Sequence, residues 1–449
     1  MTRSYRIVPL IGLVTLSLFG CAKSSHEEPT GKAAIAGINA IVDAPNVTFN
    51  IEEHSLGSIS FGEVSAPQRY DDLSYDFNFD IKEPGASSSR RLGTEFVDVV
   101  RDTNYLFVLS GSLASPQMTL WSNEERKWTG NESVLELGFL HLNNSTGPLD
   151  VYLAAPGVNP APGNAFATLA PGERLAPTEV AAGQYVLTLT TAGDPNAIVF
   201  QSSTRILGAG TSDTILILDR NPSRTADVFV RQLTQAGSAS DIADARMPPT
   251  GRFLHAAPAI GSVDIAENGD FNSLRISNQP YGNFSADTDL TVGTNDYTWT
   301  DAGNMGATLI EHENIIPAGH RTTLVLAGSA AEPVIINFLD ERRSFSNGGR
   351  LNLVNAAKSF TPVDVYLLAS GESLADRIAT TANVPFTYVS GMTPVVAGSY
   401  QLTITKRGEK NVLAGPVDID IANRDVIDLF IMDTADPNTL SILLERSAP

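Results

Sequence analysis

The residue types in this chain that could do chemistry are six histidines, two runs of aspartate and one cysteine. His26, His54, His141, His255, His312 and His320 form no pair at metal-ligand spacing on one element. His312-Glu313 opens like a zinc-protease helix, but Ile316 stands where the second imidazole would have to be. Asp71, Asp72, Asp76 and Asp80 form one acidic run and Asp418, Asp420, Asp425 and Asp428 another. Convergent carboxylates are what a glycosidase pair or a calcium site requires. Neither run carries the glycine-centred Asp-x-Asp-x-Asp-Gly loop, and alternating acids on a strand read as a solvated face that guards an edge. No Gly-x-Ser-x-Gly elbow is present, and the sole thiol is spoken for below. The reading is no catalytic residue, no metal and no cofactor. His141, His255, Asp264 and Asp364 remain as candidate ligand contacts, because they recur in register along the chain.

Cys21 ends an N-terminal segment with Arg3 and Arg6 followed by the apolar run Ile7 to Leu18, too short to span a bilayer. Leu18-Phe19-Gly20-Cys21 resembles a lipobox, with Leu18 at minus three, the small Gly20 at minus one and the thiol to be acylated. Residues 1–20 are therefore expected to be a lipoprotein signal peptide and 21–32 a polar tether. Two or three acyl chains on Cys21, at about 0.8 kcal/mol per buried methylene, would give stable membrane attachment. Ala22 in place of an aspartate favours the outer membrane. Without Arg3 and Arg6 the chain has 28 basic against 50 acidic side chains, a formal charge near −22. Such a surface repels nucleic acid. With no second cysteine no internal disulfide can form, so each domain must be held by its apolar core.

What positions these residues is a repeat. An apolar run ends in Asn39, His141, His255 or Asn355, and nine residues later comes Thr48, Asp150, Asp264 or Asp364 within an alternating segment such as Val363-Asp364-Val365-Tyr366. In mid-copy, Ala182-Gly183-Gln184-Tyr185 and Ala397-Gly398-Ser399-Tyr400 lead into strands. Thr294-Asn295-Asp296-Tyr297 keeps the tyrosine with Asn at the turn, and Leu73 to Phe77 is a looser first version. Each copy closes on an apolar strand: Tyr105–Leu109, Thr214–Leu218, Thr323–Leu326 and Asp428–Met432. With Leu109, Leu218, Leu326 and Met432 as equivalents, the copies lie 109, 108 and 106 residues apart.

Units of this size, with period-two strands, frequent turn signals and no amphipathic helix, predict an all-β chain of tandem antiparallel immunoglobulin-like β-sandwich domains. The expected boundaries are 33–130 (a divergent first repeat), 131–244, 245–345 and 346–449. Segments 122–132, 235–250 and 344–349 read as linkers, and the basic loop Pro84 to Arg91 as a solvated insertion.

The second to fourth copies resemble the bacterial envelope module known as domain of unknown function 4397. Arg252-Phe253-Leu254-His255-Ala256-Ala257-Pro258 with Val263-Asp264-Ile265 matches its opening motif, and Val363 to Tyr366 with Ala397 to Tyr400 matches the rest. The first copy lacks the His and the Asp. The resemblance implies an immunoglobulin-like sandwich found in tandem on secreted and surface proteins, with no established catalytic residues.

Together these features predict a lipid-anchored outer-membrane protein whose sandwiches form a rod or bent array on the periplasmic or outer face. Its expected work is non-catalytic binding, adhesion or spacing. The expected partners are the membrane, through the lipid, and an envelope protein or glycan. The alternative is an envelope polysaccharide-processing enzyme using a carboxylate pair.

Overall fold

The computed structural model describes residues 28–447; Leu18, Gly20 and Cys21 lie outside the described residues. Eight sheets pair into four sandwich-like units. Counting strands within a unit, the first, third and fourth units share one topology, with orders 4-1-7-8 and 3-2-5-6. The second unit keeps this plan and adds Arg205–Leu207 to one sheet and Ala239–Ile242 to the edge of the other.

The sandwiches are not wholly antiparallel. Each opening strand (Lys32–Asn39, Val134–Leu142, Thr250–His255, Gly349–Asn355) runs parallel to the first strand of the closing hairpin (Thr103–Ser112, Ser212–Leu218, Arg321–Ser329, Val426–Asp433). A parallel pair needs a long crossover, here supplied by the facing sheet. The pairing also corrects the repeat register. Asn39, His141, His255 and Asn355 sit opposite Leu109, Ile217, Leu326 and Ile431, so Leu218 and Met432 are each one residue off. A slip of one residue exchanges the faces of a strand. Leu109, Ile217, Leu326 and Ile431 point into the cores of their own units, whereas Leu218 and Met432 face a neighbouring unit.

Each unit has its own core. The first is built on Phe49, Phe77, Phe79 and Phe107, with Phe77 and Phe107 stacked at 4.3 Å between centroids. The third buries Tyr297 and Trp299 against Phe253. Two further apolar clusters belong to no single unit. Ile38, Phe61 and Val108 of the first unit meet Leu140, Leu216 and Phe229 of the second. Leu254, Val325 and Ile336 of the third meet Val354, Phe430 and Met432 of the fourth. Opening and closing strands are thus buried on both faces, which is why they read as unbroken apolar runs rather than alternating ones.

The segments read as linkers are structural. Residues 122–124 finish the strand Ser115–Glu124, and 239–242 form the added edge strand. Residues 344–349 are packed rather than extended into solvent, with Phe345 3% exposed. This stretch also turns the array back on itself. The Arg343 guanidinium donates to Val42 O (3.1 Å) and Ala44 O (2.5 Å), and Ser346 N donates to Asp43 O at 2.9 Å. The second and third units meet where Thr225 N donates to Gly319 O (2.9 Å) and Arg342 N to Ser223 Oγ (2.9 Å). An extended rod of the four units is therefore excluded, since residues 42–44 of the first unit touch the segment that joins the last two.

Candidate functional site

The repeated His or Asn is the last residue of the opening strand in three units and the next to last in the second, and all four are fully buried. Each accepts a hydrogen bond from the backbone N–H two residues on: Ile41 to Asn39 Oδ1 (3.0 Å), Asn143 to His141 Nδ1 (3.4 Å), Ala257 to His255 Nδ1 (3.3 Å) and Ala357 to Asn355 Oδ1 (3.0 Å). Each also donates to a loop carbonyl: Asn39 to Ile59 O, His141 to Gly147 O (3.1 Å), His255 to Gly261 O (2.8 Å) and Asn355 to Val384 O (3.1 Å). Acceptance at Nδ1 fixes the neutral Nε2–H tautomer of both imidazoles. Burial, which penalises the imidazolium, holds their pKa values below the ordinary one. The position is a latch that any side chain with one acceptor and one donor at this reach can work. Neither nitrogen is left for a metal or a proton transfer.

The aspartate nine residues later is also occupied. Asp264 accepts from Asn278 N (2.7 Å) and Gly303 N (2.8 Å), and Asp364 from Asn383 N (2.7 Å) and Gly408 N (2.8 Å). Asp150 accepts from the Thr168 hydroxyl (2.5 Å) and Gly193 N (2.8 Å). One carboxylate thus clips two neighbouring strand connections. Gly193, Gly303 and Gly408 have φ of +81°, +72° and +70°, which turns their N–H groups toward the acid at little steric cost. These glycines escaped the sequence reading. Their signal was a glycine two residues beyond the mid-copy strand in each of the last three units.

The mid-copy tyrosine makes a third internal bond. Tyr185 Oη donates to Ala181 O (2.9 Å) and Tyr400 Oη to Val396 O (2.8 Å), four residues upstream in each case. In the third unit the register places Gly293 with Gly398 and Asn295 with Tyr400, so Asn295 does not replace the turn glycine and Tyr297 is not the equivalent tyrosine. Asn295 Nδ2 makes the four-residue bond itself, to Thr291 O at 2.7 Å. Tyr297, two residues on, points into the core and donates to Glu267 Oε1 (2.8 Å).

The two acidic runs do not meet each other; within the second, Asp418 and Asp420 line one open cleft of about 510 Å³ with Glu372. Asp71 pairs with Lys32 (2.9 Å) and Asp80 with Arg91 (2.9 Å). The Thr30 hydroxyl, with the Gly31 and Thr30 N–H groups, holds the Asp72 carboxyl down at about 2. In the last unit Asp420 takes the Ser399 hydroxyl (2.6 Å), Asp418 the Gln401 amide (3.0 Å) and Asp425 the Arg446 guanidinium. Asp428 is no solvated acid: it is buried at the seam between the third and fourth units. Among the described residues no group of three or more His, Cys, Asp or Glu is placed to hold a metal ion. In the basic loop, Arg90 and Arg91 are paired with Glu83 and Asp80.

One open cleft lies between the first and second units. Three residues before each latch lies a position facing the neighbouring unit: Ala36, Gly138, Arg252 and Asn352, with Leu106, Thr214, Thr323 and Asp428 beside them on the parallel strand. At the seam of the third and fourth units this tier is bridged by charged side chains, beside a cleft of about 230 Å³ lined by Arg252, Asp287, Arg342 and Glu445. Arg252 reaches Asp428 (2.5 Å), Asp340 (3.1 Å) and Thr323 Oγ1 (3.0 Å), and Asn352 donates to Asp428 (2.8 Å). At the seam of the first and second units the same tier holds Ala36, Leu106, Gly138 and Thr214. Small side chains there leave a cavity of about 100 Å³, walled by Ala34, Val64, Pro67, Pro177 and Leu233 with Asn104, Asn123, Ser212, Thr214 and Gln235 around it. Asp213 borders the cleft, but it alternates with Ser212 and Thr214 and so faces inward like Ile215. Burial raises its pKa, and the Gln232 amide donates to it at 2.6 Å.

Comparison with known proteins adds the following. The family model described as "Domain of unknown function (DUF4397)" matches residues 33–152 and 250–366, just over half of the chain. The first match takes in the first unit, which the motif residues had left apart. No curated protein matches. Among solved structures, "The Bacillus anthracis TIE protein" matches at 10% identity over 87% of this chain and 69% of that one, with a TM-score of 0.15, from which nothing is argued.

Proposed function

We propose, for a chain that belongs to the DUF4397 family, the function of a lipid-anchored outer-membrane protein that binds an envelope partner and does no chemistry on it. One observation carries the reading. The polar residues that recur between copies are used up inside the scaffold, as latch, clip and tyrosine bond, while the inter-unit cleft keeps uncommitted polar groups at its rim. An immunoglobulin-like ancestry for the units is supported by the Tyr185 and Tyr400 bonds, which resemble the tyrosine corner of that fold. The anchor rests on Leu18, Gly20 and Cys21. The carboxylate-pair alternative finds little support. Asp418 and Asp420 stand two apart on one strand and so project side by side, whereas a glycosidase pair flanks the bond it cleaves.

The test compares the native protein with Cys21→Ala in intact cells by palmitate incorporation and proximity labelling. Acylation confined to the native form, with specific envelope proteins or glycans enriched beside it, is the expected result. Acylation that survives Cys21→Ala overturns the anchor. Neighbours no different from membrane background in both forms overturn the binding reading.

A further inference from the structure

The four copies provide an internal comparison for the cleft. The seams of the first and last pairs use the same faces of the same strands, and their apolar tiers correspond: Ile38 and Leu216 in one, Leu254 and Phe430 in the other. One tier away they diverge. Arg252 and Asp428 bridge the last two units, and the register places Ala36 and Thr214 at their counterparts in the first two. Both line the cavity. Both seams therefore hold a cleft at this place, lined by the charged Arg252, Asp287, Arg342, Glu445 and Arg446 in the last pair of units and by largely neutral side chains in the first.

The lining says what the hollow accepts. No charged side chain points into it: Asp213 is turned into the core of its own unit, and Arg174, nearby, is engaged with Ser122 O (3.2 Å) and Asn123 Oδ1 (3.0 Å). Asn104, Thr214 and Gln235 line it without a side-chain hydrogen-bond partner among the described residues. Two amides and a hydroxyl offer neutral donors and acceptors together, over a floor of Ala34, Ala36 and Leu106. An ionic ligand would lose its hydration there with no counter-charge in return, and a purely apolar one would strand the amides. Resting on the binding reading above, we infer that this cleft takes one residue of an uncharged saccharide, its hydroxyls on Asn104, Thr214 and Gln235 and its ring face on Ala36 and Leu106.

The experiment uses the soluble full-length Cys21→Ala form. It is titrated with N-acetylglucosamine and maltose as neutral probes and with glucuronate as the charged one, followed by calorimetry and by saturation transfer to the sugar protons. The expected result is binding of a neutral probe and none of glucuronate. Asn104→Ala should weaken that binding about five- to tenfold, the size of one neutral hydrogen bond. The pair Ala36→Arg with Thr214→Asp transplants the ion pair of the other seam, keeps its charges balanced and should abolish binding of the neutral probe with the fold intact. Neutral probes that do not bind, glucuronate that binds equally, or binding indifferent to both variants overturns the inference. If the anchored protein still enriches a partner in cells while no neutral probe binds, the ligand assignment fails and the broader binding reading stands.

Discussion

Asp364 offers the sharpest check on the claim that the family's Val-Asp-Val-Tyr segment is scaffold rather than binding surface. Its two oxygens accept from Asn383 N and Gly408 N, and the side chain is buried at 5% exposure. Asp364→Asn keeps one acceptor oxygen but turns an NH₂ group toward the second N–H, replacing an attraction by a donor facing a donor. Losing one charge-assisted bond of this kind costs about 1.5–3 kcal/mol, and Asp364→Ala, which strands both donors, about 3–5 kcal/mol. At about 3 kcal/mol the local opening equilibrium rises roughly 150-fold. The assay is amide hydrogen exchange read at Gly408 and Asn383, because a four-unit chain does not unfold in one step and a melting midpoint would blur the site. Asp264→Asn supplies a replicate, since its two bonds have the same lengths to Asn278 and Gly303. Exchange at Gly408 that stays at the parent rate in a folded Asp364→Asn protein would refute the clip. Loss of partner capture without any change in exchange would make Asp364 a contact instead.

Three further outcomes are expected. Burial holds the pKa values of His141 and His255 below their ordinary value of 6.5, so these groups favour the folded state fully above that pH. Stability should fall as the pH drops from 6.5 toward the depressed folded values, and His255→Asn, which copies Asn355, should remove its share of that dependence in a pH series of denaturation curves. Arg252→Ala should cost about 3–5 kcal/mol by leaving Asp340 and Asp428 buried without their cation. Part of that should return with Asp428→Asn, read by exchange or proteolysis at the seam. Gly237→Ala should loosen the seam of the first and second units, because a Cβ there would lie 2.0 Å from Pro67 Cδ on a backbone at φ +82°. Faster proteolysis between those two units is the readout.

Much of the scaffold was legible because it depends on local period. The alternation in Leu149–Ala154, Val263–Glu267 and Val363–Ala369 announces strands, and the nine-residue interval from Asn39, His141, His255 or Asn355 is the length of the turn that carries the chain from one sheet to the other. The parallel pairing was not legible, since a strand's own sequence says little about the direction of its neighbour. Nor was the equivalence of Asn295 with Tyr400, because two different side chains make the same bond over four residues. The signal that did exist and was passed over lay in the runs Leu140-His141-Leu142 and Ile215 to Leu218. Apolar residues at both parities mean a strand covered on both faces, hence a neighbouring unit on the outside.

The sequence by itself determined the repetition of units, their β character and the positions of the latch and clip residues, since these follow from spacing, alternation and side-chain type within about a hundred residues of chain. Tertiary structure alone decided which outer faces meet, that Arg343 closes the array onto Val42 and Ala44, and that Arg252 makes the cleft at one seam charged while Ala36 leaves the other neutral. The physical reason is that a cavity is a property of two surfaces brought together. An alanine or an arginine three residues before the latch is equally compatible with its own strand, and its meaning is set only by what the facing unit places opposite.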